Sequence, residues 1–202
     1  MITRGLDSTL SGLRRLSAGG VWLGGGLLTL YCGAVGVEVL MRRFAGHSFG
    51  GLDEIGGYLL AFVAAIAFTE TLLNRGHIRI DLVQARLPRL GQAAFDLLAL
   101  AGMIGFYGLL LNYAATLLTR SVTMGTRSMT PLAVLQWVPQ SLWFAGIALF
   151  VVTGAVLFLR ALVALAAGDA ATVQALIGAR SADDDLAEEK ALNDMAAGEV
   201  RA

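Results

Sequence analysis

Charge is what this sequence has least of. Only 15% of its 202 residues are charged, and 15 basic and 15 acidic side chains cancel to a formal net charge of +0. Soluble domains average roughly 25% charged residues. With no overall basic field, nucleic acid is excluded as a partner. One cysteine, Cys32, excludes an intrachain disulfide, and two histidines, His47 and His77, exclude any site that needs four. Axial haem ligation would need both histidines inside one bundle, and these two fall in connections at opposite ends of the spans. An intramembrane hydrolase would need a nucleophile and a base within the spans. Ser48 beside His47 is a loop dipeptide with no third partner. Neither an enzyme nor a cofactor or metal site is therefore expected.

What the sequence has in abundance is apolar length. Hydrophobic residues make up 56% of the chain, and the mean hydropathy is +0.70. They stand in long runs, not in short periodic stripes. Crossing about 30 Å of hydrocarbon takes roughly 20 helical residues. Four runs suffice: about Gly19 to Leu40, Ile55 to Leu73, Leu90 to Leu118, and Gln140 to Leu159 or on to Ala167. Each must be a helix, because a lone strand leaves its backbone unpaired in lipid. The expected fold is all-α, an integral membrane four-helix bundle spanning residues 19–167. Residues 1–18 are expected to form a cytoplasmic tail, and 168–202 an acidic tail, marginally helical or disordered. The first run is too long for the h-region of a signal peptide, and Val39-Leu40-Met41-Arg42-Arg43 is a poor cleavage site, so it is expected to stay as a span.

Orientation follows the basic residues. Arg4, Arg14 and Arg15 precede the first span. Arg75, Arg79, Arg86 and Arg89 separate the second from the third, and Arg160, Arg180, Lys190 and Arg201 follow the fourth. The other side holds only Arg42, Arg43, Arg120 and Arg127, so both termini are expected in the cytoplasm. Trp22, Tyr58, Trp137 and Trp143 near the span ends read as interface anchors.

Helices in lipid associate through small residues that admit close approach. Gly20 and Gly24, Gly57 and Ala61, and Gly105 with Asn112 are the candidate packing positions on the first three spans. They serve to close the bundle, to dock a second membrane protein, or both. Asn112 is expected to make an interhelical hydrogen bond, and Cys32 to be a small packing residue. Ionisable residues inside a span are costly and usually functional. Glu38, Glu70, Asp96 and Arg160 all lie near span ends, where snorkelling reaches water. The middle of the membrane domain is thus nearly free of charge, which disfavours a pore, a proton relay or a self-contained ion-coupled carrier.

The connections carry the remaining information. Asp53 and Glu54 open the second span, where carboxylates favour a helix N-terminus. That span ends in Arg75-Gly76-His77-Ile78-Arg79-Ile80-Asp81, with Gly76 suited to a helix stop and a basic, interfacial segment following. Pro88 then opens the third span. The acidic pair, the Gly-His-Ile-x-Ile-Asp element and Leu87-Pro88 together resemble the small membrane subunit of tripartite ATP-independent periplasmic (TRAP) transporters. Ser128-Met129-Thr130-Pro131 and Trp137-Val138-Pro139 are similar to that family's stretch before the fourth span. Two departures stand out: Ile80 replaces the usual Val, and Gly51-Leu52 replaces an aromatic before the acidic pair.

The resemblance implies a scaffold subunit in a bacterial inner membrane. Its partners would be a large membrane subunit that carries an organic acid with sodium, a periplasmic solute-binding protein, and membrane lipid. It further implies that Asp53 and Glu54 face the periplasm, capping the second helix or touching the binding protein. Glu70, Arg75, Gly76, His77, Arg79, Asp81 and Pro88 would shape the cytoplasmic turn against lipid headgroups or the large subunit. The rival reading is a small subunit of another tripartite carrier, or an independent four-helix exporter.

Overall fold

The computed structural model describes residues 2–77 and 87–178, together with Leu186, Glu189, Lys190 and Asn193. Among these residues it is all-helical: α1 (Ile2–Phe44), α2 (Leu52–Leu73), α3 (Arg89–Met124), α4 (Trp137–Ala166) and a short α5 (Ala170–Ile177). Four of the five helices are long and apolar enough to cross a membrane. The spans predicted from hydropathy all appear, each longer than the apolar run that revealed it. Hydropathy marks the part of a helix that sits in hydrocarbon. The hydrogen-bonded helix continues until a terminating residue stops it. For α3 that residue is Gly125, which takes the left-handed conformation at φ 60. For α4 the start tolerates Pro139, because an N–H in the first turn has no intrahelical acceptor.

The expected N-terminal tail is helix throughout its described part, continuous with the first span. With 43 residues, α1 is about 65 Å long, twice the hydrocarbon thickness. Its first turns are docked: Asp7 pairs with Arg160 of α4 at 2.9 Å, and Arg14 Nη2 donates to the Leu73 carbonyl at 3.3 Å. Ser17 is buried. At the other end α1 runs past the start of α2, and residues 39–44 are exposed.

Packing follows from which helices meet. The central helix is α4, which contacts α1, α2, α3 and α5, while α1 and α3 share no contact. The bundle is therefore open between α1 and α3. An ideal Cβ at Gly20 would lie 2.8 Å from Ile66, and one at Gly24 2.9 Å from Val63, so the two helices are in close contact there. Gly146 of α4 sits against Ala65, and Gly154 against Ile104 and Leu72. As both numbers rise together from Ala65–Gly146 to Leu72–Gly154, α2 and α4 run parallel. α2 and α3 meet through side chains, with the Phe68 and Tyr107 rings 5.7 Å apart.

The core lies at the end that holds the start of α1 and all of α5. It gathers Leu72 and Leu73, Ala93, Leu97 and Leu100, then Phe150, Leu157, Ala161 and Ala164 of α4, and Val173 with Ile177. Two expectations change here. Residues 170–177 are a docked helix, with Val173 0% and Ile177 3% exposed. Asp169 caps this helix, accepting from the Thr172 N–H at 3.0 Å. The Thr172 bonds hold the Asp169 carboxyl below its ordinary range, so the cap is complete above that range and is lost as pH falls through the lowered value. Asp96 is only 1% exposed and so does not snorkel; it shares a buried face of α3 with Ala93, Leu97 and Leu100.

Candidate functional site

The candidate residues fall into three places: the two ends of the bundle and its outer faces. At the end that carries α5, α2 stops in a Schellman arrangement. The Gly76 N–H donates to the Thr71 carbonyl at 2.8 Å and the Arg75 N–H to Leu72 at 3.2 Å. Glycine usually supplies the left-handed residue of this motif. Here Arg75 supplies it, at φ 56, and Gly76, the expected helix stop, is the residue after. An L side chain in this conformation costs about 1–2 kcal/mol. Arg75 Nη1 reaches the Gln174 carbonyl of α5 at 3.5 Å. Glu70 accepts from the Asn74 amide at 3.0 Å, which holds the last turn.

The chain then turns inward. The His77 ring stands edge-on to Phe150, centroids 6.1 Å apart, and Phe150 in turn stacks on Tyr107 at 4.2 Å. The side chain of His77 is thus part of the core margin. Pro88 is the N-cap of α3, and its carbonyl accepts from the Gln92 N–H at 3.0 Å. The Gln92 side chain bonds Gln174 at 2.6 Å, tying α3 to α5. Arg79 and Asp81, with the expected interfacial segment, lie outside the described residues.

At the opposite end Asp53 and Glu54 behave differently. Asp53 is exposed. Glu54 accepts from Tyr58 Oη at 2.6 Å and from Thr130 Oγ1. Thr130 also bonds Ser128 at 2.8 Å, and Ser128 Oγ accepts from the Val134 N–H at 3.0 Å. Glu54 is therefore a latch between the first turn of α2 and the α3–α4 loop. The loop is itself closed by Gln136 N–H to the Thr126 carbonyl at 3.0 Å. Gly51 precedes the latch at φ 83, and a Cβ there would strike Leu132 of the same loop.

Sequence reading singled out Ser128 and Thr130 as a stretch but did not pair them with Glu54, since no local spacing links positions 76 residues apart. It also missed Tyr31, whose hydroxyl donates to the Leu52 carbonyl at 3.2 Å and fits only because residue 56 is glycine. We predict that Glu54→Ala speeds amide exchange at Ser128 and Val134 severalfold while α4 exchange stays constant. Hydrogen-exchange mass spectrometry that found the loop equally protected would remove the latch.

The small-residue positions divide the same way. Gly20 and Gly24 face α2. Gly57 and Gly105 have open space where a Cβ would be, and Ala61 and Asn112 are exposed. Among the described residues, Gly57 and Gly105 meet no neighbouring helix at a Cβ position, and the expected interhelical bond from Asn112 is not made. On α3 the exposed positions Leu98, Gly102, Gly105, Leu109, Asn112 and Thr116 recur at intervals of four and three, the spacing of one helix seam. Cys32 is likewise exposed, not packed. No group of three or more His, Cys, Asp or Glu is close enough to hold a metal ion among the described residues.

Comparison with known proteins agrees with this layout. No curated protein and no solved structure matches the chain. The family model for the DctQ component of tripartite ATP-independent periplasmic transporters matches residues 31–164, from the Tyr31 contact through nearly all of α4. A multi-pass helical protein with the latch loop between its third and fourth spans, matched over well more than half its length, belongs to the DctQ family, the small permease subunit of TRAP transporters.

Proposed function

We propose that this chain is a scaffold subunit that packs beside a large transport subunit in a bacterial inner membrane. In this reading the large subunit imports an organic acid with sodium, and a periplasmic binding protein delivers it. Both termini face the cytoplasm, and the Glu54 latch faces the periplasm. The observation that carries the proposal is the unused seam on α3. An asparagine exposed to hydrocarbon is costly unless a neighbour bonds it, and glycines that admit close approach serve nothing in isolation. The charge-poor spans fit a frame better than a conduit.

The test is purification in mild detergent with the large subunit co-expressed. A stoichiometric complex and uptake only by the complete set of subunits are expected. Uptake by this chain alone in liposomes would favour the exporter reading instead.

A further inference from the structure

A groove of about 770 Å³ runs along the seam where α1, α2 and α4 meet. Phe62 and Ile66 of α2 and Phe144 and Leu149 of α4 line it, and among the described residues Arg15 is the one charged side chain on its wall. Its rim residues Leu23 and Val152 are exposed, so the groove opens outward. Small residues leave the room: a Cβ at Gly19 would meet nothing within 4 Å. A helix is too wide to enter. With its side chains it measures about 10–12 Å across, and α1 and α4 already touch each other as well as α2. An extended hydrocarbon chain is thin enough, and an unfilled groove forfeits its dispersion contacts.

Length and charge identify the occupant. On α1 the groove runs from Arg15 to Leu23, about 12 Å at the helical rise. One leaflet of hydrocarbon is roughly 15 Å deep, half the apolar core of a bilayer. Arg15 stands at the shallow end. Its neighbour Arg14 bonds the carbonyl of Leu73, the last residue of α2, so this turn of α1 is level with the end of that span. That is the level at which a phospholipid changes from acyl chain to phosphate, and a long arginine reaches it by snorkelling. A guanidinium carries five N–H donors in a fork that suits phosphate oxygens. Two carboxylates at this end are engaged elsewhere, Asp7 with Arg160 and Glu70 with Asn74. Arg15 itself has no ion-pair or hydrogen-bond partner among the described residues.

We propose that this groove holds one acyl chain of a phospholipid from the leaflet at the α5 end, with the lipid phosphate against Arg15. The assignment depends on the chain crossing the membrane, not on its pairing with a large subunit. The test uses the full chain, delipidated in detergent, and two photoactivatable probes. One is phosphatidylglycerol with a diazirine in its acyl chain; the other is the matching diacylglycerol, which lacks the phosphate. Mass spectrometry of the digested protein is expected to place the phosphatidylglycerol label within residues 16–23 and 144–152. Its yield exceeds that of diacylglycerol about tenfold, the weight of one charge-assisted contact. Arg15→Gln brings the two probes level. Gly19→Phe fills the groove and lowers labelling by both probes severalfold. Its Cβ meets no neighbour, so its melting temperature is maintained and lost labelling is not lost folding. Gly25→Phe, on the same helix but outside the groove, leaves labelling unchanged. Equal yields from the two probes in the wild type overturn the phosphate contact, and full labelling of Gly19→Phe, or an equal loss in Gly25→Phe, overturns the groove. Loss of the label when the large subunit is co-expressed overturns the lipid in favour of side chains of that subunit.

Discussion

Gly146→Leu is expected to destabilise the isolated chain by about 3 kcal/mol, the upper part of the range for overpacking a tight contact. The smaller Gly146→Ala already meets the obstacle. A Cβ at 146 would lie 2.6 Å from the Ala65 Cβ and 3.1 Å from its backbone carbonyl carbon. Neither can rotate away, so α2 and α4 must move apart. The displacement would spread, because α4 also carries the α1, α3 and α5 contacts. Contrast Gly154, whose nearest neighbour is the Ile104 side chain at 2.9 Å. There a rotamer change absorbs part of an added methyl, and Gly154→Ala is expected to cost about half as much as Gly146→Ala. Thermal unfolding in detergent, with Gly57→Ala as a matched exposed control, measures the series. Equal midpoints for Gly146→Leu and wild type would mean that α2 and α4 are not pressed together at this level.

The second large effect is on assembly. Gly105→Leu and Asn112→Leu are expected to leave the isolated chain within about 0.5 kcal/mol of wild type, as for other surface changes. Each should nevertheless reduce recovery of the large subunit about tenfold, and the double variant should abolish uptake. An interhelical hydrogen bond in lipid contributes about 1–2 kcal/mol, which is close to tenfold in an equilibrium constant. A leucine on the glycine notch blocks close approach by a partner helix. The separation of the two readouts is the point of the design: a folding defect would lower both, and a lost docking face only the second. Full recovery of the large subunit with the double variant would move the interface to another face, such as the exposed length of α1.

Much of the architecture was legible because it depends on consecutive residues. Ile55–Leu73 and Gln140–Ala166 are apolar through their middles, with charge only at Glu70 and Arg160 near the ends, so no neighbour is needed to recognise them as helices in lipid. The acidic pair, the Arg75-Gly76-His77 turn and Pro88 also mark helix ends by local chemistry alone. The family resemblance rested on those same local elements. Side-chain direction was not legible. Asp96 is as close to a span end as Arg160, yet it points between helices at 1% exposure. Its neighbours at three and four residues on either side are the buried Ala93 and Leu100, and only knowing that α4 and α5 cover that face makes them a core.

The glycines show the same division. By itself the sequence determined that this chain is a charge-poor set of four membrane helices with small residues on several faces. Spacing could not tell Gly20 and Gly24, which face α2, from Gly105, which faces outward. Only the tertiary structure decided which faces are spent inside the chain, that α5 closes the core, and that Glu54 grips a loop 76 residues away. The physical reason is one of range. Hydropathy and helix stops are set within a few turns of the chain, whereas the face a helix buries is set by whatever comes to lie beside it.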